Sequence, residues 1–102
     1  MSRKVYILNK GAHDYSGAEK FGELVFCTEG LINKTDVNQM YLALHEVLQD
    51  SEYDDLILMS SLTSLCSVAS GYMAHLHGCV NYLIYDGGKY QESHIDYEIY
   101  DN

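Results

Sequence analysis

The stretch Asp54-Asp55-Leu56-Ile57-Leu58-Met59-Ser60-Ser61-Leu62-Thr63-Ser64-Leu65, continuing to Leu76, decides the fold. Leu56 to Met59 is a short apolar run bounded by acids and hydroxyls, the pattern of a buried strand. From Leu62 the apolar residues Leu65, Cys66, Val68, Ala69, Tyr72, Met73 and Leu76 recur at helical spacing, and Gly78 supplies a C-terminal stop. Ser60 or Ser61 is the expected cap of this helix. A strand that runs through a hydroxyl-lined turn into an apolar helix belongs to an open α/β sheet. In such sheets ligands bind at the carboxyl ends of the strands, where the next helix offers free N–H groups.

Upstream, Lys4 to Asn9 reads as a buried first strand that Asn9, Lys10 and Gly11 interrupt. Ser16 with Glu19 has the spacing of a capping box, which predicts a short helical turn from Gly17 to Phe21. Leu24 to Thr28 is a second strand. Asp36 opens a helix with Gln39 as its capping partner, and Val37, Met40, Tyr41, Leu44, Val47 and Leu48 share one apolar face. Downstream, Val80 to Tyr85 is a strand, Asp86-Gly87-Gly88 a hairpin turn, and Lys89 to Ile95 the return strand. Alternation in Ile95, Tyr97 and Ile99 marks a half-exposed edge. The expected architecture is one α/β domain over residues 1–102, with a mixed, partly parallel sheet of about five strands, flanking helices and a C-terminal antiparallel hairpin.

Composition excludes several classes of function. No apolar run is long enough to span a bilayer and no leader pattern precedes Val5, so a cytoplasmic protein that binds no membrane is expected. Cys27, Cys66 and Cys79 have no CxxC spacing and read as structural thiols rather than metal ligands. No metal and no cofactor are expected. His75 and His77 point to different faces of one helix, which argues against a shared metal. The first 34 residues hold five cations against four acids, whereas the rest holds only Lys89 against eleven acids. Such a surface repels nucleic acid and argues against a DNA- or RNA-binding role. A small anionic ligand remains compatible with the N-terminal third.

The candidate ligand site lies at the carboxyl edge of the sheet. Asn9, Lys10, His13 and Asp14 follow the first strand, Thr28 and Glu29 follow the second, and Ser60, Ser61, Thr63 and Ser64 follow the third. Hydroxyls beside free helix N–H groups suit a phosphate or carboxylate, although no glycine-rich phosphate loop is present. A carboxylate such as Glu29 suits ribose hydroxyls. His13-Asp14-Tyr15-Ser16 also contains the groups of a small hydrolase or nuclease, and no residue is assigned a catalytic role. Five of the ten tyrosines fall in the C-terminal hairpin, which is the place to expect contact between copies in a homo-oligomer.

The residues Lys4-Val5-Tyr6, His13-Asp14-Tyr15-Ser16, Glu19 to Phe26 and Thr28-Glu29-Gly30 resemble small α/β proteins encoded by bacteriophages. Asp55 to Leu58, His75, His77-Gly78, Asn81 to Tyr85 and Lys89-Tyr90 extend that resemblance over most of the chain. The resemblance implies a phage origin and the host bacterial cytoplasm, and it carries no activity with it. Small acidic phage proteins of this size often interfere with host defences, by binding a host protein or by sequestering a nucleotide signal. The expectation is therefore a binding protein for a nucleotide-like or other small anionic ligand. The alternatives are an acidic inhibitor of a host protein and a small hydrolase using His13.

Overall fold

The computed structural model describes residues 3–60 and 62–97. Strands β1 (Lys4–Lys10), β2 (Glu23–Glu29), β3 (Leu56–Leu58), β4 (Cys79–Asp86) and β5 (Lys89–Asp96) form one sheet in the order β2-β1-β3-β4-β5. The first three pairings are parallel and the last is antiparallel. This is the small mixed α/β domain that the sequence predicts. Helices α1 (Val37–Leu48) and α2 (Thr63–His77) cover one face, and a 3-10 turn (Ser16–Phe21) covers part of the other.

The residues explain the layers. β1 and β3 lie in the centre, so Val5 to Leu8 and Leu56 to Leu58 are buried on both faces and need no polar alternation. Tyr6, Leu8, Ile57 and Val80 meet Met40, Leu44 and Leu48 of α1 and Leu65, Ala69 and Met73 of α2. Val5, Ile7, Leu56, Leu58 and Leu83 point the other way, against Ala18, Tyr15 and Phe21. The direction of the connections follows from handedness. The step from β1 to β2 runs opposite to the steps β2 to β3 and β3 to β4, so right-handed crossovers must place the 3-10 turn and the two helices on opposite faces.

Local chemistry sets the element ends. Asp36 Oδ1 accepts the Gln39 N–H at 3.1 Å, as its spacing predicts, and Gly78 ends α2 in the left-handed region at φ 74°. Gly87 and Gly88, at φ 61° and 87°, make the two-residue hairpin turn. At Gly22 the backbone passes so close to the Arg3 carbonyl that a Cβ would overlap it, and this approach lets Glu23 N–H reach Arg3 O at 3.0 Å.

Three local expectations are corrected. Ser16 does not cap the 3-10 turn. Tyr15 holds the cap position, and the Ser16 N–H instead donates to Asp14 Oδ1 at 2.9 Å, because an aspartate two residues upstream closes a tighter local ring. Ser60 does not cap α2 either. It accepts the Leu62 N–H at 3.2 Å in a turn of its own, and Leu62 occupies the cap position without a side-chain bond. In α1 the apolar face is narrower than its spacing suggests. Val37 and Tyr41 are exposed, whereas Met40, Leu44 and Leu48 are buried and Val47 packs partly against the core. Ser61, Ile99 and Tyr100 lie outside the described residues.

Candidate ligand cleft

A ligand site in an open α/β sheet is expected where neighbouring strands send their connections in opposite directions. Here those strands are β1 and β3, since the chain leaves β1 toward β2 and leaves β3 toward β4. Beyond their carboxyl ends, on the face of the 3-10 turn, lies a cleft of about 830 Å³. The segment Gly11 to Lys20 forms one wall, the tip of the β4–β5 hairpin forms the other, and Leu58 to Ser60 form the floor.

Aromatic rings build both walls. Tyr15 meets His13 and Phe26 edge-on, with centroids 6.1 and 6.3 Å apart. Tyr90 meets Tyr85 at 5.0 Å and Phe21 at 6.3 Å, and its ring lies against Gly17. Burial raises the Tyr90 phenol above its ordinary value, and the nearby Tyr85, Tyr15 and Asp14 add to the rise, so the ring keeps its hydroxyl protonated.

The charge balance in the cleft is the reverse of that of the chain. Lys20 and Lys89 line it against the single carboxylate of Asp14. An adjoining shallow hollow of about 970 Å³, over the edge of β2, shares His13 to Ser16 and Lys20 and adds Arg3 and Lys10. Four of the six Lys and Arg residues thus line the cleft and the hollow, against the carboxylates of Asp14, Glu19 and Glu23. Arg3 is held by Glu92 at 2.6 Å, Lys10 Nζ sits 5.4 Å from the Phe26 ring centre, and Lys20 Nζ sits 5.5 Å from that of Phe21.

The described residues expected at the site separate into four places. Asn9, His13, Asp14 and Ser60 line the cleft, and Lys10 lines the adjoining hollow. Thr28 and Glu29 lie at a small hollow between β2 and α1, and Thr63 and Ser64 at another beside Lys34 on the helix face. Leu62 stands between that last hollow and the cleft. Thr28 Oγ1 lies 2.6 Å from Leu8 O and 2.9 Å from Asn9 Oδ1, while Asn9 Nδ2 donates to Gly30 O at 3.1 Å, so this pair stitches the ends of β1 and β2. Lys20, Lys89, Tyr15, Tyr85 and Tyr90 belong to the cleft without having been singled out as binding residues. For Lys89 the signal was available, as it is the lone cation after residue 34.

The groups near His13 do not form a nucleophile, base and orienter. The Asp14 carboxylate is engaged by the Ser16 amide, which lowers it below the usual range, and His13 packs on the Tyr15 ring. Among the described residues no cluster of His, Cys, Asp or Glu is arranged to hold a metal ion, and no helix is long and apolar enough to cross a membrane. Burial pushes the Cys27 thiol up to about 12, which makes it a poor nucleophile.

Comparison with curated proteins finds no match, and neither does comparison with solved structures. A family model does match, over residues 3–99, and its description is Phage Pam3 gp32-like protein. With the match covering nearly the whole chain, this protein belongs to the Phage Pam3 gp32-like family.

Proposed function

We propose that the protein is a binder without catalysis, which holds a small anionic, nucleotide-like ligand in the cleft beyond β1 and β3. The observation that carries this reading is the convergence of Lys20 and Lys89 with Tyr15, Tyr85 and Tyr90 at the switch point of the sheet. Ammonium groups take a phosphate, and tyrosine faces take a base or another flat apolar group. The cleft volume is within the range of small-molecule sites. In a phage-type protein such a binder acts by withdrawing its ligand, and a nucleotide signal of host defence is the ligand class that withdrawal would silence. The setting is the host cytoplasm.

Mass spectrometry of small molecules released from the freshly purified, denatured protein tests this first, followed by calorimetric titration with nucleoside mono- and diphosphates. Each lost charge-assisted contact is worth about 1.5–3 kcal/mol, so replacing Lys20 and Lys89 by Ala should weaken binding at least about tenfold. Lys34→Ala, on the other face, should leave it unchanged. Absence of both a released compound and nucleotide binding would overturn the reading.

A second reading rests on the opposite edge of the sheet, where Glu46, Asp50, Glu52 and Asp54 are all exposed. That acidic surface would suit a basic site on a host protein. Reversing those charges would abolish such a complex and leave nucleotide binding intact.

A further inference from the structure

The cleft does not end at the wall that Gly11 to Lys20 build. Tyr15 and Lys20 line the cleft on one side and the hollow over β2 on the other, so the two depressions meet along this ridge. Each is by itself large enough for a whole small molecule. A mononucleotide between Tyr15 and Tyr90 would occupy only one of them.

The hollow has a floor and a polarity of its own. Leu24 and Phe26 share the face of β2 that carries the 3-10 turn, and Phe26 is 40% exposed there. β1 and β2 are parallel, with Lys4 beside Glu23 and Lys10 beside Glu29. The hollow therefore runs from Lys10 and Phe26 at the carboxyl edge, next to the cleft, to Glu23 at the amino edge. Lys10 and Lys20 rest over the Phe26 and Phe21 rings and meet no carboxylate among the described residues. Both are exposed, and contact with a ring leaves the ammonium charge uncompensated. Arg3 is different. Its guanidinium is already engaged by Glu92 and by the Phe21 carbonyl, so it supplies no free charge. Glu19 and Glu23 also border the hollow, where they disfavour a phosphate and suit ribose hydroxyls or a base amine.

A phosphate is thus best held at the ridge, where Lys20 borders both depressions. Flat groups lie to either side of it, against Tyr90 in the cleft and Phe26 in the hollow. We infer that the ligand is a two-unit nucleotide, two nucleosides joined through phosphate, with one unit in the cleft and the other over Phe26. This rests on the reading of the cleft as a nucleotide site. A base laid on Phe26 displaces Lys10, whose flexible stem turns its ammonium toward the joining phosphate. The net charge of −9 opposes a longer nucleic acid, each further phosphate of which adds repulsion, and so favours a free dinucleotide.

The test titrates the full chain by calorimetry with linear, cyclic and diphosphate-linked two-unit nucleotides, with the matching mononucleotides, and with hexanucleotides. At least one two-unit compound should bind at least about fivefold tighter than its mononucleotide, the lower end of what one stacked base contributes. Phe26→Ala should bring that ratio close to one. The ratio is the readout because any effect of the substitution on the cleft is common to both ligands and cancels. In the unaltered chain the Leu24 methyl resonances should shift with the two-unit compound and stay in place with the mononucleotide. Equal affinity for the two classes would overturn the inference and leave the cleft standing as a mononucleotide site. No binding of either would overturn both. Tighter binding of hexanucleotides would overturn the inference in favour of a nucleic-acid strand.

Discussion

At the scale of single residues, Asp55 shows how one polar group can hold an edge of the sheet. It is 1% exposed, yet Oδ1 accepts the Lys4 N–H and Oδ2 the Glu52 N–H, both at 2.8 Å. One carboxylate thereby fixes the start of β1 and the turn that enters β3. Tyr6 lies close by, its phenol pushed upward by burial first and by the Asp55 charge second. Asp55→Ala strips both amides of their acceptor and should cost about 3 kcal/mol, read from the denaturant midpoint at constant slope. Asp55→Asn should rescue little, because the amide keeps one acceptor and turns a donor toward the other N–H. In the sequence Asp55 looked like one more acid of an exposed loop. Only its place beneath β1 distinguishes it from Asp54.

At the scale of elements, the punctuation of the chain was legible and the capping was less so. Gly78 and the pair Gly87-Gly88 are needed because those turns require positive φ, a property of the backbone that sequence reports directly. Gly88→Val should lower stability by about 1–2 kcal/mol and loosen the hairpin, whereas Gly87→Asn should be nearly neutral. Amide hydrogen exchange along β4 and β5 would separate the two outcomes. Hydroxyls before a helix are a weaker signal. Ser60 and Ser16 both sit where caps are common, but Ser60 accepts an amide before the helix begins, and Ser16 gives its own amide to Asp14.

At the scale of the whole molecule, net charge is divided between the two ends of the sheet. The carboxyl edge gathers lysines around the cleft, and the amino edge carries Glu46, Asp50, Glu52 and Asp54. Self-repulsion at a net charge of −9 opposes the compact state and is screened by salt, whose Debye length is about 10 Å at 0.1 M. The thermal midpoint should rise by a few degrees between low salt and about 0.5 M sodium chloride, where that length shortens further. Scanning calorimetry at two salt concentrations checks this, and a flat response would mean that the acids are already compensated locally. Salt should have the opposite effect on ligand affinity, since it screens Lys20 and Lys89 from an anion.

The order of elements, the parallel core and the closing hairpin were determined by the sequence itself. Periodicity, glycine and β-branched runs act within a few residues of one another, so the chain states them locally. The strand ends were legible in the sequence, and the structure brings Asn9, His13, Asp14 and Ser60 around one cleft. That Thr63 and Ser64 fall on the other side of Leu62, and that Lys89 and Tyr90 face Tyr15 across some seventy residues of chain, was decided only by the tertiary structure. The face of the sheet taken by each connection follows from strand order and crossover handedness, and strand order depends on contacts between distant segments that no local pattern encodes.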